Sequence, residues 1–450
     1  MEPLSPFETL LLVDRRRGYP MDFLLEVQLE GPLDRRRLET AVAAAAACQP
    51  RMRMRIGRRG RRWVWLPPDT DPSVEWWPLS ADRAAADPWR PCDATRSSGL
   101  RVVALERERD PGGPPRWSVV LVVDHTVCDG LACIEWLGAM WTAYHTGQPL
   151  CGGDLPAVVR RQAPPAPQTS AAPRPAVPDT RRLARESGNF ARLRPAVLAP
   201  LATPTAPVRD EPLAPPYACV VFTPDQTRRL WGIASAAGVT VNDLLVAAAM
   251  RTALDWNAAA GTPARHVRIN MPVSLRDPGA TVPTGNHIGY AFLDRSAEEC
   301  GDPTTLVRSL AAASRWIKET GAAAQFLHAV EALERVPGLL WLLTRLPLCL
   351  STAVISNVGN LAPRLRAAVP IVDGRHAPRD LLLTGIVGVP PLRPRTRAGV
   401  GIMTYAGSLR LAVHTDERHL GAGASAAFAE LVRRAIDDTA AALAASTPGG

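Results

Sequence analysis

The chain predicts an α/β (α+β) protein built as two domains, and three features of the sequence lead there. At 450 residues it is too long for one ordinary core and suits two domains of roughly 200 residues each. A continuous β-branched run from Trp117 to Val123 leads directly into a helical apolar period, the order of a buried strand feeding a helix. A stretch rich in proline, alanine and arginine then interrupts the chain, as in RQAPPAPQTSAAPRPAVP. The expected division is a first domain over 1–160, a linker over 161–210 and a second domain over 211–450. No repeat at a solenoid or propeller period is present.

In chain order, MEPLSPFETLLLVDRRR places its arginines after the apolar stretch and Glu2 before it. That is the reverse of a secretory signal, so a cytoplasmic location is expected. Residues Arg51 to Leu66, RMRMRIGRRGRRWVWL, alternate with period two about a GRRG turn and predict a hairpin with arginines on one face. Such a face suits solvent, a nucleotide phosphate or an acidic carrier. It does not suit nucleic acid, because no stacking pattern accompanies it. Trp117–Val123 predicts a strand covered on both faces. Leu131, Ile134, Leu137, Met140, Trp141 and Tyr144 recur at helical spacing and predict a helix over 130–144. After the linker, YACVVFTPDQTRRL starts a new strand and helix, and Thr240 with Asp243 forms a T-x-x-D cap for another. PGLLWLLTRLPLCLSTAVI carries Pro337, Arg345 and Pro347 and makes a poor bilayer span; it fits either a buried helix or a surface for a lipid substrate. GAGASA, from Gly421 to Ala426, imitates a dinucleotide fingerprint but has only one helix after it, so a turn into that helix is the better account.

Composition narrows the function classes. Hydrophobic residues make up 46% and charged residues 21%, which argues against global disorder. The net charge of +9 is carried almost wholly by arginine, Lys318 being the only lysine, and favours acidic partners such as CoA phosphates or an acidic carrier protein. The eight cysteines lack close CxxC pairs, so neither a metal site nor a disulfide framework is expected. Neither a GxSxG elbow nor a P-loop occurs.

The chemistry concentrates in DHTVCDG, Asp124 to Gly130, which puts His125 at the end of the apolar strand, where a base would be mounted on a rigid rim. This segment resembles the HHxxxDG signature of the condensation-domain and wax-ester-synthase superfamily of acyltransferases. The second histidine of the signature falls on His125, the aspartate on Asp129 and the glycine on Gly130; Asp124 stands in place of the first histidine. Other segments resemble the family in the same order and cover nearly the whole chain. They are PLSPFETLLL, the PW and PCD before GLRVVALERE, AYHTGQPL, TVNDLLVAAAMRTALDW, INMPVSLRD, GNHIGYAF, ISNVGNL and TYAGSLRLAVHTDERHL.

The resemblance implies two chloramphenicol acetyltransferase-like lobes, each a mixed sheet with flanking helices, forming a V around a channel. It implies an acyltransferase that moves an acyl group from a CoA or carrier-protein thioester to a hydroxyl or amine, forming an ester or amide, with His125 as general base. Asp129 would turn from the channel and pair with Arg276. Gly130 would allow a tight turn and offer its N–H to the oxyanion. Asn242, Ser356 and Asn357 are channel candidates, though a helix start and a turn before Gly359 explain them equally. Cys128 is a core filler. Asp124 marks either an altered basicity at His125 or a degenerate site, so the alternative is a catalytically degenerate condensation-like domain that binds a carrier or partner protein. No cofactor is expected beyond acyl-CoA or a phosphopantetheinyl carrier as substrate. The expected partners are that donor and a small alcohol or amine, with no nucleic acid, no transmembrane segment and a monomeric chain.

Overall fold

The valine-rich run of residues 116–124 is apolar on both faces because both faces are covered, by different parts of the molecule. A computed structural model of the protein describes residues 2–68, 71–80, 87–147, 180–201, 214–276, 285–365 and 367–446. The first half of the chain contributes α1 (Pro6–Asp14), β1 (Asp22–Glu30), α2 (Arg35–Cys48), the hairpin β2 (Arg55–Arg59) and β3 (Arg62–Leu66), β4 (Val74–Trp77), β5 (Leu100–Arg107), β6 (Arg116–Asp124), α3 (Gly130–Thr146) and α4 (Thr180–Arg192). The second contributes β7 (Ala218–Val221), α5 (Pro224–Ala236), α6 (Val241–Ala259), β8 (His266–Ser274), β9 (Ile288–Ser296), α7 (Pro303–Thr320), α8 (Gln325–Glu334), α9 (Leu339–Arg345), β10 (Ala353–Asn360) and α10 (Ala362–Leu365). After these come the ribbon β11 (Ile371–Val372) and β12 (Arg375–His376), then β13 (Leu382–Val389), β14 (Ala398–Tyr405), β15 (Ser408–Thr415), α11 (Glu417–Leu420) and α12 (Ala424–Ala445).

Two mixed sheets result, in the orders β13-β1-β6-β5-β4 and β7-β15-β14-β10-β8-β9. Each carries flanking helices, the two-lobed α/β architecture the sequence leads one to expect. Val119, Leu121 and Val123 of β6 pack with α2 and α3 in the core of the first lobe. Val120 and Val122, on the opposite face, meet Tyr217 and Ala412 of the second lobe. A strand sandwiched in this way reads as a continuous hydrophobic run.

The chain does not divide cleanly at the expected boundary. Strand β13 pairs with β1, from Leu24 opposite Val389 to Glu30 opposite Leu382. Residues of the 211–450 domain therefore complete the first sheet, and Leu361 and Leu365 join the first core. Without this strand β1 would be an exposed edge. Where β13 crosses β14 the backbones nearly touch: a Cβ on Gly401 would overlap the carbonyl oxygen of Gly388.

The expected linker is also more structured than its composition suggests. Residues 161–179 and 202–210 lie outside the described residues, but α4 follows, and Leu198 is fully buried in the second core. Trp256 Nε1 donates to the Ala199 carbonyl at 2.8 Å, and Phe190 packs on Phe292 with ring centroids 4.8 Å apart. Single anchors of this kind leave no period to read. In GAGASA, Gly421 and Gly423 have φ of 97° and 78° and turn the chain into α12. The 337–355 stretch forms the short α9 and then enters β10 at Ala353; much of the apolar surface of α9 is exposed, so the buried-helix expectation fails there. Among the described residues no single helix is long and apolar enough to cross a membrane.

Candidate active site

Strand β6 ends at Asp124, and the next five residues turn into α3. Asp124 is fully buried and holds that turn. Its Oδ1 accepts from the Thr126 N–H at 3.0 Å; its Oδ2 accepts from the Ala94 N–H at 2.8 Å and pairs with the Arg15 guanidinium. Arg15 in turn pairs with Asp93. The carboxylate that replaces the first histidine of the signature is thus spent on the turn and on an arginine following α1.

His125 is half-buried and lines a cavity of about 170 Å³ between the two lobes. Its backbone N–H donates to the Met21 carbonyl at 3.0 Å, and its ring stands edge-on to Phe23 at 5.1 Å. From the other lobe, Asn286 Nδ2 donates to the carbonyls of His125 at 2.8 Å and Thr126 at 3.1 Å. Carbonyls only accept, so both fix the amide with its oxygen toward the imidazole. That Oδ1 lies 3.2 Å from His125 Nδ1. The ring proton is therefore on Nδ1, and the neutral ring keeps its lone pair on Nε2. Burial lowers the pKa of His125, outweighing the opposing influence of Asp129, Asn286 and Asp124.

Asp129 caps α3, its Oδ1 accepting from the Ala132 N–H at 3.1 Å. Its Oδ2 accepts from Arg276 Nη1 at 2.7 Å and from the His287 N–H at 2.8 Å, both from the second lobe. Arg276 also donates to the Gly285 carbonyl at 3.3 Å. One carboxylate thus starts the helix and ties the lobes together. Gly130 is the first residue of α3, and its φ is not in the left-handed region, so the turn itself does not require glycine. A Cβ there would meet only Val358, at 3.8 Å. The tight-turn reason for Gly130 is therefore replaced by its position on the cavity wall.

Alternation along the second sheet builds the facing wall. Asn270, Pro272 and Ser274 of β8, Ile288 and Tyr290 of β9 and Val354 and Ser356 of β10 point into the cavity, while Ile269 and Ile355 point into the core. Asn357 also lines it. Asn242 does not; its Oδ1 accepts from Asn357 Nδ2 at 3.0 Å and so supports that residue from behind. Thr240 and Asp243 form a reciprocal capping box at the start of α6. Cys128 is buried in the first core beside Met52. A neighbouring cavity of about 470 Å³, lined by Asp22, Trp89, His414 and Asp416, shares Met21, Leu24, Val389, Pro390 and Pro391 with the first. Among the described residues no group of three or more histidine, cysteine, aspartate or glutamate side chains could hold a metal ion.

Two residues escape a reading of the sequence. Asn286 sits in a loop with no periodicity to mark it, although the surrounding GNHIGYAF carries family resemblance. Asn270 looks like an ordinary strand residue, yet it is 5% exposed and its Oδ1 has no hydrogen-bond partner.

Two sheet-based lobes, a histidine on the cavity between them and a strand passed from the second lobe to the first sheet form the site. Comparison with known proteins agrees. Residues 211–414 match the family model described as phthiocerol/phthiodiolone dimycocerosyl transferase C-terminus. The uncharacterized protein Rv2305 of Mycobacterium tuberculosis (strain ATCC 25618 / H37Rv) is 26% identical over 436 residues, 91% of this chain and 93% of that protein. Polyketide synthase associated protein 5 from Mycobacterium tuberculosis shares the fold with a TM-score of 0.61 at 18% identity, 98% of each chain being covered. A mutant starter condensation domain of rhizomide synthetase, solved with C8-CoA and Leu-SNAC, gives 0.62 at 14% identity over 99% of this chain and 95% of that one. At these identities the likeness shows a shared fold: the chain has the two-lobed architecture of the condensation domains.

Proposed function

We propose that the protein is an acyltransferase that moves an acyl group from a CoA or carrier-protein thioester to a hydroxyl or amine acceptor, with His125 as general base. The observation that carries this reading is the imidazole at the inter-lobe cavity, held neutral by burial and turned by Asn286 so that Nε2 is the basic nitrogen. A thioester is already activated, so transfer needs a base and a donor for the oxyanion. Nε2 takes the proton of the attacking O–H or N–H as the new C–O or C–N bond forms. When the tetrahedral centre collapses and its C–S bond breaks, the same proton goes to the departing thiolate. No acyl-enzyme is needed, and no cofactor beyond the thioester enters.

Gly130 is cast as the oxyanion donor. It opens α3, where the helix N-terminus carries partial positive charge. Asp129 and Arg276 act as positioning residues, fixing that N-terminus relative to the second lobe. The unpartnered Oδ1 of Asn270 suits an acceptor that donates a hydrogen bond, as an alcohol or amine does. Ser356 and Asn357 shape the same wall. The matching proteins support the class: one family is of dimycocerosyl transferases, and one condensation domain was solved with an acyl-CoA. The net charge of +9 fits a donor bearing phosphates.

The test is free-thiol release and product mass on mixing the purified protein with a panel of acyl-CoAs or acylated carrier proteins and with alcohol or amine acceptors. Acceptor-dependent release with formation of the ester or amide is expected. Binding of donors without any acceptor-dependent release would favour the binding-only alternative.

A further inference from the structure

We propose that the surface around α9 docks onto an anionic phospholipid bilayer beside the cavity that holds His125. Leu340 and Thr344 anchor this helix, at 6% and 7% exposure, while Trp341 and Leu342 stand out at 53% and 51%. Val336 precedes them at 52%, and Leu346 and Leu348 follow at 40% and 39%. Of the eleven large apolar residues exposed among the described residues, six lie between Val336 and Leu348, so this is a patch and not scattered surface apolarity.

Arginines lie beside the patch. A small pocket is lined by Leu343, Leu346 and Leu348 together with Arg16, Arg393 and Arg395. Arg16 is close enough to Arg345 and Arg393 to feel both charges, and Asp14 is the carboxylate among them. Arg393 pairs with Asp14 at 2.5 Å, Arg345 donates to the Val13 carbonyl at 2.8 Å and lies over the Trp341 ring, and the Nε of Arg16 is buried without a partner. On the nearby α8, Glu331 and Glu334 are exposed acids, with Arg335 after them. The arginine side therefore carries an excess of positive charge directly against leucines.

An apolar surface with tryptophan, bordered by guanidinium groups, matches the interface of an anionic bilayer, where leucine and tryptophan enter the headgroup region and arginine meets phosphate. A second copy of the chain docked on the same surface by two-fold symmetry would bring like charges together. With no single described helix able to cross a membrane, the attachment is peripheral. Arg393 also lines the His125 cavity, so a bound bilayer would lie next to it. The surface rests on its own geometry and does not depend on acyl transfer.

The experiment is co-sedimentation of the full-length protein with phosphatidylcholine vesicles and with vesicles containing about one third phosphatidylglycerol. Binding to the anionic vesicles alone, released by salt, is expected. Trp341→Ser combined with Leu342→Ser should weaken it about tenfold or more, and Arg395→Glu about fivefold. Trp231→Ser, at an exposed tryptophan on α5, should leave binding unchanged, and melting curves should show all variants folded. Absence of binding at low salt, or equal binding by the Trp341 and Leu342 variant, overturns the proposal. So does a dimer in solution that this variant dissolves while vesicles bind nothing, which would assign the patch to self-association.

Discussion

Asn286 of the second lobe holds His125 of the first by its backbone carbonyl at 2.8 Å and its ring Nδ1 at 3.2 Å, and donates to the neighbouring Thr126 carbonyl at 3.1 Å. Removing it leaves the imidazole without its orienting partner. Asn286→Ala should lower kcat by roughly tenfold or more, within the 10²–10⁴ that a positioned base supplies. Because the pKa of His125 lies below its ordinary value, the acid limb of the pH–rate profile should fall below pH 6.5. Asn286→Asp would place a carboxylate at Nδ1, favour the imidazolium and move that limb upward. An unmoved limb in Asn286→Asp would count against His125 as the titrating group.

The Arg15–Asp124 pair makes a stability prediction. With Asp124 fully buried, Arg15→Met strands its charge and should cost roughly 3–5 kcal/mol, read by chemical denaturation. The double variant Arg15→Met with Asp124→Asn should lose less than the two single changes summed. Asp124→His restores the familiar histidine pair of the signature but removes the acceptor for Arg15, Ala94 and Thr126, so soluble yield should fall and turnover should not rise.

Gly130→Pro isolates the oxyanion donor. The residue is the first of α3, where proline is tolerated, and Asp129 before it has φ of −89° and ψ of 173°, which a following proline accepts. The substitution deletes the N–H with little change in melting. A kcat loss of about 10²–10³ would match a lost oxyanion donor, whereas Gly130→Ala should keep most of the rate. Equal rates in all three proteins would remove Gly130 from the chemistry.

Stability should fall as pH drops from about 6.5 to about 4. Burial pushes His376 and His414 down to about 4, so over that range the unfolded chain binds protons the folded one refuses. Asp22 acts in the opposite sense: burial pushes it up to about 6, and its stabilising contribution is lost as pH rises through that value. Burial raises Asp255 and Asp294 in the same sense as Asp22, but it also lowers His125, His145 and His287, so the histidines set the sign. Melting of His376→Gln should depend less steeply on pH across this window, and an unchanged slope would contradict the assignment.

What the sequence made legible was local. The β6 run, the helical spacing of α3 and the Thr240 cap each occupy a contiguous stretch, and their period or spacing is set by the backbone. The pairing of Asp129 with Arg276, 147 residues apart, came only through family resemblance. Nothing in β13 distinguishes a strand of the second sheet from one that crosses to the first, because both edges want the same alternation. Asn286 and Asn270 matter through what surrounds them in space. Phe190 and Leu198 anchor a proline-rich segment singly. Helix α9 has the composition of a buried helix, and only its packing shows which side is left bare.

The most direct test of the central claim is thiol release from an accepted acyl-CoA and acceptor pair, comparing wild type with His125→Ala at matched folding. His125 lines a cavity, and among the described residues its ring hydrogen-bonds only to Asn286, so the variant should melt close to wild type. Its kcat should fall by about 10²–10⁴, the share of a general base. Equal turnover by the two proteins would contradict the account.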